Sequence, residues 1–132
     1  MTAEDGHSLP LLDDSVLARL RAETDGDEGI WKVFVQNFMR LMPVRIDRLR
    51  STLTSGDAVS ALEAVLSLRT SAQMVGALQL AGVALELEQA VRRAANGSDP
   101  ATALPGLAVT YLRRIMNTGQ RTTDQLEAFI NK

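Results

Sequence analysis

Few side chains in this sequence could do covalent or acid–base chemistry, and their placement narrows the choice further. The one histidine, His7, stands in a polar opening segment beside Gly6 and close to Pro10, and there is no cysteine. A metal site needs several nitrogen or sulfur ligands, and a nucleophile needs a base within reach. Neither a metal centre nor a Cys–His or Ser–His pair is therefore expected on the folded body. Ser67, Thr70 and Ser71 carry hydroxyls near one another, with no neighbouring base to activate them. Asp13, Asp14, Asp25, Asp27, Glu28 and Asp57 fall at expected helix starts, where carboxylates cap free amides and meet the positive end of the helix dipole. Glu86 and Glu88 are two residues apart, on different sides of a helix, and cannot work as a carboxylate pair. Arg40, Arg45, Arg48 and Arg50 form the densest basic run. Arg45 and Arg48 share a face, which reads as solvated surface or as a rim for an acidic partner. Met39, Met42, Met74 and Met116 read as core filler, and no cofactor is implied.

Composition sets the frame for these residues. The chain has 132 residues, a formal net charge of -2, 45% hydrophobic and 4% aromatic residues. That length suits a single domain with one core. The near-neutral balance, with one Trp and one Tyr, gives neither a basic footprint nor a stacking array for nucleic acid. The acidic N-terminus has no apolar h-region, so no secretion signal is expected. The longest uncharged stretch, residues 70–85, contains Ser71, Gln73 and Gln79 and falls short of the roughly 20 apolar residues of a membrane span. These features point to a soluble cytoplasmic protein with no membrane association, built as a flexible tail over residues 1–11 and a domain over 12–132.

Abundant Ala, Leu, Glu and Arg, with few aromatic or β-branched runs, favour helix over strand. A short first helix is expected over residues 13–23, capped by Asp13 or Asp14, with Val16, Leu17 and Leu20 on one face. A second starts near Asp27 and carries Trp31, Val35, Phe38, Met42, Ile46, Leu49 and Leu53 at steps of three and four. It should kink or break at Met42–Pro43. A third helix, residues 57–75, has the core stripe Ala58, Ala61, Val65, Leu68, Ala72 and Val75. Gly76 marks a tight passage to a fourth helix, residues 77–95, closed by Asn96-Gly97. A fifth begins at Pro100 or Pro105 and runs to Ile130, its apolar positions Leu107, Tyr111, Leu112, Ile115, Leu126 and Phe129 interrupted by the polar residues 117–123. Short connections make neighbours antiparallel. The expected fold class is all-α, an up-down four-helix bundle with a short N-terminal cap helix.

One apolar residue faces away from this core. At about 100° per residue, Leu66 lies roughly 130° from the mean direction of the third helix's core stripe, Thr70 nearly opposite it and Gln73 at about 110°. Leu66 is thus expected on the solvent face with Leu62, Arg69, Thr70 and Gln73 around it. A single exposed leucine is ordinary on a protein surface.

Its surroundings are more specific. Gly56-Asp57, then Leu66 nine residues on, then Leu68, Arg69, Ser71, Ala72, Gly76 and Ala77 resemble the signature of histidine-containing phosphotransfer (HPt) domains. That signature runs Gly-Asp, a histidine nine residues later, x-Leu-Lys-Gly-Ser-Ala, and Gly-Ala after three more. Leu68, Ser71, Ala72, Gly76 and Ala77 stand where the pattern expects them, Arg69 replaces its lysine and Thr70 its glycine. Leu66 stands in the place of the phosphorylated histidine. Leu80-Ala81 and Leu87-Glu88 downstream, Phe38, Pro43 and Leu49 upstream, and the opening from Leu12-Asp13 to Leu20 extend the likeness over about residues 12–115.

The resemblance implies an HPt-like bundle in a two-component phosphorelay, where a solvent-facing imidazole exchanges a phosphoryl group with receiver-domain aspartates. Leucine has no lone pair to accept that group. A degenerate HPt domain is therefore expected: not an enzyme, with no catalytic or metal-binding residue. It would dock a response-regulator receiver domain or a histidine kinase, as a monomer, through Leu62, Leu66, Arg69, Thr70 and Gln73. In this reading Arg69 replaces the family's cation and Glu88 has a structural role. Two other readings remain open. The chain could transfer phosphoryl groups through His7 or another unconventional acceptor, or serve as an interaction bundle outside phosphorelays.

Overall fold

A computed structural model describes residues 9–23 and 28–131, and these form five helices: α1 (Asp14–Glu23), α2 (Glu28–Thr54), α3 (Ala58–Met74), α4 (Leu78–Ala95) and α5 (Pro100–Ile130). α2 packs on α3, α3 on α4, α4 on α5 and α5 back on α2, while the diagonal between α3 and α5 is barely touched. That closed ring is the expected four-helix bundle, with α1 laid against α2 as a cap. Among the described residues no helix is long and apolar enough to cross a membrane.

The core is assembled from the stripes read in the sequence. Trp31, Val35, Phe38, Met42, Leu49 and Leu53 of α2 are buried with Val65, Leu68 and Ala72 of α3, Leu80, Ala84, Leu87 and Val91 of α4, and Leu104, Ile115 and Leu126 of α5. The cap joins this core through fully buried Leu17, and Arg21 lies 5.2 Å from the Trp31 ring centroid. Trp31 in turn meets Phe129 edge to face at 5.3 Å. Asp13 is the residue that caps α1, its Oδ1 accepting from the Ser15 amide at 2.9 Å and the Ser15 hydroxyl at 2.6 Å. The expected turn at Thr24-Asp25-Gly26 lies outside the described residues, as do residues 1–8. Of the expected tail, Leu9 lies against the bundle: its carbonyl accepts from Gln79 Nε2 at 2.8 Å.

Three expectations change in part. α2 runs as one helix through Pro43, so of the kink or break expected there the break is overturned. The proline removes a single amide and its side chain faces outward, while the core stripe on either side keeps both halves docked. α5 runs on to Ile130 as expected, but residues 117–123 do not interrupt its packing face: Thr118, Gly119 and Thr122 are buried and carry it from Ile115 to Leu126. Their polarity is absorbed within the helix, since the Thr122 hydroxyl donates to the Thr118 carbonyl at 2.7 Å. Finally, Met42 is buried and Met39 packs on the core, but Met74 and Met116 are not filler. They are 52% and 46% exposed.

Candidate functional site: the outer flank of α3

α3 is fixed at both ends by glycine turns of one design. At its start, Gly56 has φ +76° and the Asp57 amide reaches back to the Thr52 carbonyl at 3.2 Å, closing α2. Asp57 then caps α3, Oδ1 accepting from the Ser60 amide at 3.1 Å. At its end, Gly76 has φ +75°, the Ala77 amide donates to Ala72 at 2.8 Å and the Gly76 amide to Gln73 at 3.1 Å. The Gly76 carbonyl accepts from the Asp13 amide at 2.8 Å, so this turn also carries the cap helix.

Leu62, Leu66, Arg69, Thr70 and Gln73 follow one another at helical spacing along one flank of this rigid element. Thr70 and Gln73 are exposed as expected. Leu66 is half-buried rather than exposed, as are Leu62 and Arg69, and Leu62 packs against the core. A single averaged core direction does not describe α3, which sits between two neighbours, α2 and α4. Its buried arc is correspondingly wide and takes in Ala61 and Ala64 as well. Residues on the α4 side of that arc are partly covered.

Arg69 shows what the α4 side holds. Its Nη1 lies 2.7 Å from Oε1 of Glu88, a carboxylate only 6% exposed, in an ion pair whose alignment falls short of a hydrogen bond. Arg92, one turn along α4, donates from Nε and Nη2 to the other oxygen at 3.2 and 3.1 Å. Glu88 thus ties α3 to α4 between two guanidinium groups, the structural role expected of it. Glu86 points elsewhere and takes a forked pair of 3.1 Å hydrogen bonds from Arg114 of α5. The two carboxylates do not meet.

The other side of α3 holds features that the sequence reading did not single out. Between α2 and α3 lie two adjoining clefts of about 210 and 200 Å³, which share Leu41 and Arg45. Arg45 is half-buried, not a fully solvated surface residue, and its Nη1 is enclosed with no hydrogen-bond partner. A second apolar stripe on α2, Phe34, Leu41 and Val44, was the available signal. It runs at helical spacing beside the core stripe.

Comparison with known proteins fits this geometry to a family. The Hpt domain family model matches residues 33–130, from the first turns of α2 to the end of α5. The chain belongs to the Hpt domain family. The crystal structure of histidine-containing phosphotransfer protein B (HptB) from Pseudomonas aeruginosa PAO1 matches with a TM-score of 0.74 at 24% identity, over 92% of this chain and 96% of that one. At that identity the likeness speaks for the fold. No curated protein matches the chain. Hpt domains are phosphotransfer carriers rather than enzymes in the usual sense, and they work with receiver domains and kinases in phosphorelays. This Hpt domain has one histidine in its whole sequence, His7, outside the described residues.

Proposed function

We propose that this Hpt module docks a receiver domain, or a histidine kinase that meets such domains, and passes no phosphoryl group itself. The observation that carries the reading is Leu66, which by the resemblance of residues 56–77 occupies the phosphoacceptor position on α3. A phosphoryl group needs a lone pair to attack it, and a leucine side chain has none. Ser67, Thr70 and Ser71 offer no substitute in this reading, because the Ser71 hydroxyl donates to the Ser67 carbonyl at 2.8 Å and, among the described residues, none of the three hydroxyls is hydrogen-bonded to a base. Docking survives this loss. Leu62 and Leu66 give a partly covered apolar centre, with Arg69, Thr70 and Gln73 as its polar rim, the pattern of a protein interface. In this reading the protein is a monomeric cytoplasmic adaptor or competitor.

The test mixes the phosphorylated receiver domains of the same genome with wild type and with Leu66→His, following label transfer and affinity together. Wild type should bind at least one receiver without taking label, and Leu66→His should accept it. Acid-labile label on the wild-type chain would refute the reading, and its loss in His7→Ala would identify the acceptor. If Leu66→Asp left every affinity unchanged, the α3 flank would not be the docking site.

A further inference from the structure

Two methionines stand largely in water, and one of them has a guanidinium on its sulfur. Met116 of α5 is 46% exposed and lines a cleft of about 320 Å³ between α2 and α5. Arg50 of α2 reaches across and donates from Nη2 to Met116 Sδ at 3.6 Å. Among the described residues this is the one methionine sulfur that accepts a hydrogen bond. Asp47 holds the other arm of the same guanidinium, its Oδ1 accepting from Nη1 at 2.6 Å, so Arg50 keeps this pose by a contact within its own helix. The pairing is mismatched, since a thioether is a weak acceptor and here it faces a charged donor.

The chain has no cysteine, so thioethers are the sulfur that a peroxide meets. The cleft holds them at different depths. Met42 is 4% exposed, its Sδ 3.5 Å from where a Cβ on Gly119 would stand, and Met39 is half-buried. Met116 is therefore the first that an oxidant in water reaches there. Oxidation turns a thioether into a polar sulfoxide, which disrupts a core when the side chain is buried. At Met116 the sign reverses. The side chain is already half in water, and the sulfoxide oxygen is a strong acceptor facing a guanidinium that is in place beforehand. A weak N–H···S contact between α2 and α5 becomes a charge-assisted N–H···O bond.

We infer that Met116 is a site of reversible oxidation by peroxide, and that Arg50 receives the sulfoxide oxygen. A lone pair of the thioether sulfur attacks one oxygen of hydrogen peroxide, and the O–O bond breaks. The sulfur loses two electrons and becomes a sulfoxide. The peroxide is reduced, its second oxygen leaving as water with both protons. Two thiols reverse the step in a methionine sulfoxide reductase, forming a disulfide and releasing the oxygen as water. Oxidised at this position, the module holds α2 to α5 at least as firmly as before. The site is separate from the α3 flank and does not depend on what docks there.

The experiment uses the full chain with Met74→Leu, which removes the other strongly exposed thioether among the described residues. Folded protein is treated with hydrogen peroxide, and each methionine is followed by peptide mass spectrometry. Met116 should gain its oxygen at least about tenfold faster than Met42. Protein oxidised at Met116 alone should have a urea midpoint equal to or above that of the reduced protein. Adding Arg50→Leu should turn this shift downward, and a sulfoxide reductase with dithiothreitol should restore both mass and midpoint. Three results would overturn the inference: Met116 reacting no faster than Met42, oxidation lowering the midpoint as much with Arg50 as without it, or an oxygen that the reductase fails to remove.

Discussion

Gly119 offers the sharpest check on how α2 and α5 pack. It is buried in the middle of α5, where a glycine costs about 0.8–1.0 kcal/mol relative to alanine in helix propensity. The usual excuse for such a glycine is that a side chain would not fit. Here a Cβ would stand 3.5 Å from Met42 Sδ, 3.7 Å from Ile46 Cδ1 and 3.8 Å from Met42 Cγ, ordinary van der Waals distances. The methyl would therefore fill space at the edge of a cleft of about 320 Å³ lined by Met39, Met42, Pro43 and Met116, without displacing any of them. Burying one methyl adds up to about 0.8 kcal/mol, less where the cleft stays open to water. Gly119→Ala should thus stabilise the protein by about 1–2 kcal/mol, which for a domain of this size is a rise of roughly 3–8 °C in Tm. Urea unfolding followed by circular dichroism at 222 nm measures it, with an unchanged slope showing that the unfolding reaction is the same. A lower midpoint would mean that α2 and α5 approach more closely than described, and the account of residues 115–126 as a continuous packing face would fail.

The same substitution at Gly76 should act in the opposite sense. A Cβ there would lie 2.9 Å from the Asp13 carbonyl oxygen, on a backbone at φ +75°, so Gly76→Ala should lose about 2 kcal/mol or more by the same urea assay. Glu88→Gln should cost about 2 kcal/mol, because Arg69 loses its counter-charge, whereas Arg92→Gln should cost under about 1 kcal/mol since that side chain is half in water. Thermal melts of the two variants decide the order. Stability should also fall in acid through the two cap aspartates. Hydrogen bonds from the Ser15 hydroxyl and amide hold the Asp13 carboxyl below its ordinary 3.8, and those from Ser60 do the same for Asp57. A carboxyl depressed on folding adds stability that is complete above the unfolded value and disappears as pH falls through the folded one. Melts in the window that opens at 3.8 and extends below it should therefore show a shallower acid loss in Asp13→Asn/Asp57→Asn than in wild type. Parallel curves would refute the assignment.

What was legible in the sequence was whatever depends on one helix at a time. Asp57 and Gly76 announced the ends of α3 because caps and left-handed turns are local, and the spacing from Trp31 to Leu53 gave the buried face of α2. The misreadings concern relations between helices. A break was one of two forms expected at Pro43 because propensity is local, whereas the continuity of α2 comes from packing on both sides of it. Thr118 and Thr122 belong to a stretch that reads as a gap in the apolar face because hydroxyls are polar, yet a threonine hydroxyl can be satisfied within its own turn and so can face a core. Met74 was assigned inward by residue type, although its angle on α3 places it on the margin towards α2. Leu66 was placed fully in water because an averaged core direction ignores the second neighbour that a bundle helix always has. Arg45 could not be told from Arg48 in the sequence. Only the clefts on the α3 side of α2 separate a guanidinium with an enclosed nitrogen from one at the surface.

The Arg69–Glu88–Arg92 cluster bears on why a leucine is tolerated at position 66. A basic residue beside a phosphoacceptor is useful for transfer when it is free to meet the incoming charge. Arg69 is not free. It is drawn towards a carboxylate that is itself almost wholly buried and would be costly to leave alone. Its interaction therefore serves the union of α3 with α4 and does not involve position 66. Scaffold and acceptor are separable here: the capping, the glycine turns and the ion-pair cluster all involve residues other than Leu66. In the proposed reading, a chain built this way has a leucine in place of the nucleophile without loosening the helix that carries it. On that reading the α3 flank stays rigid, and Leu66 would give a docking partner an apolar centre.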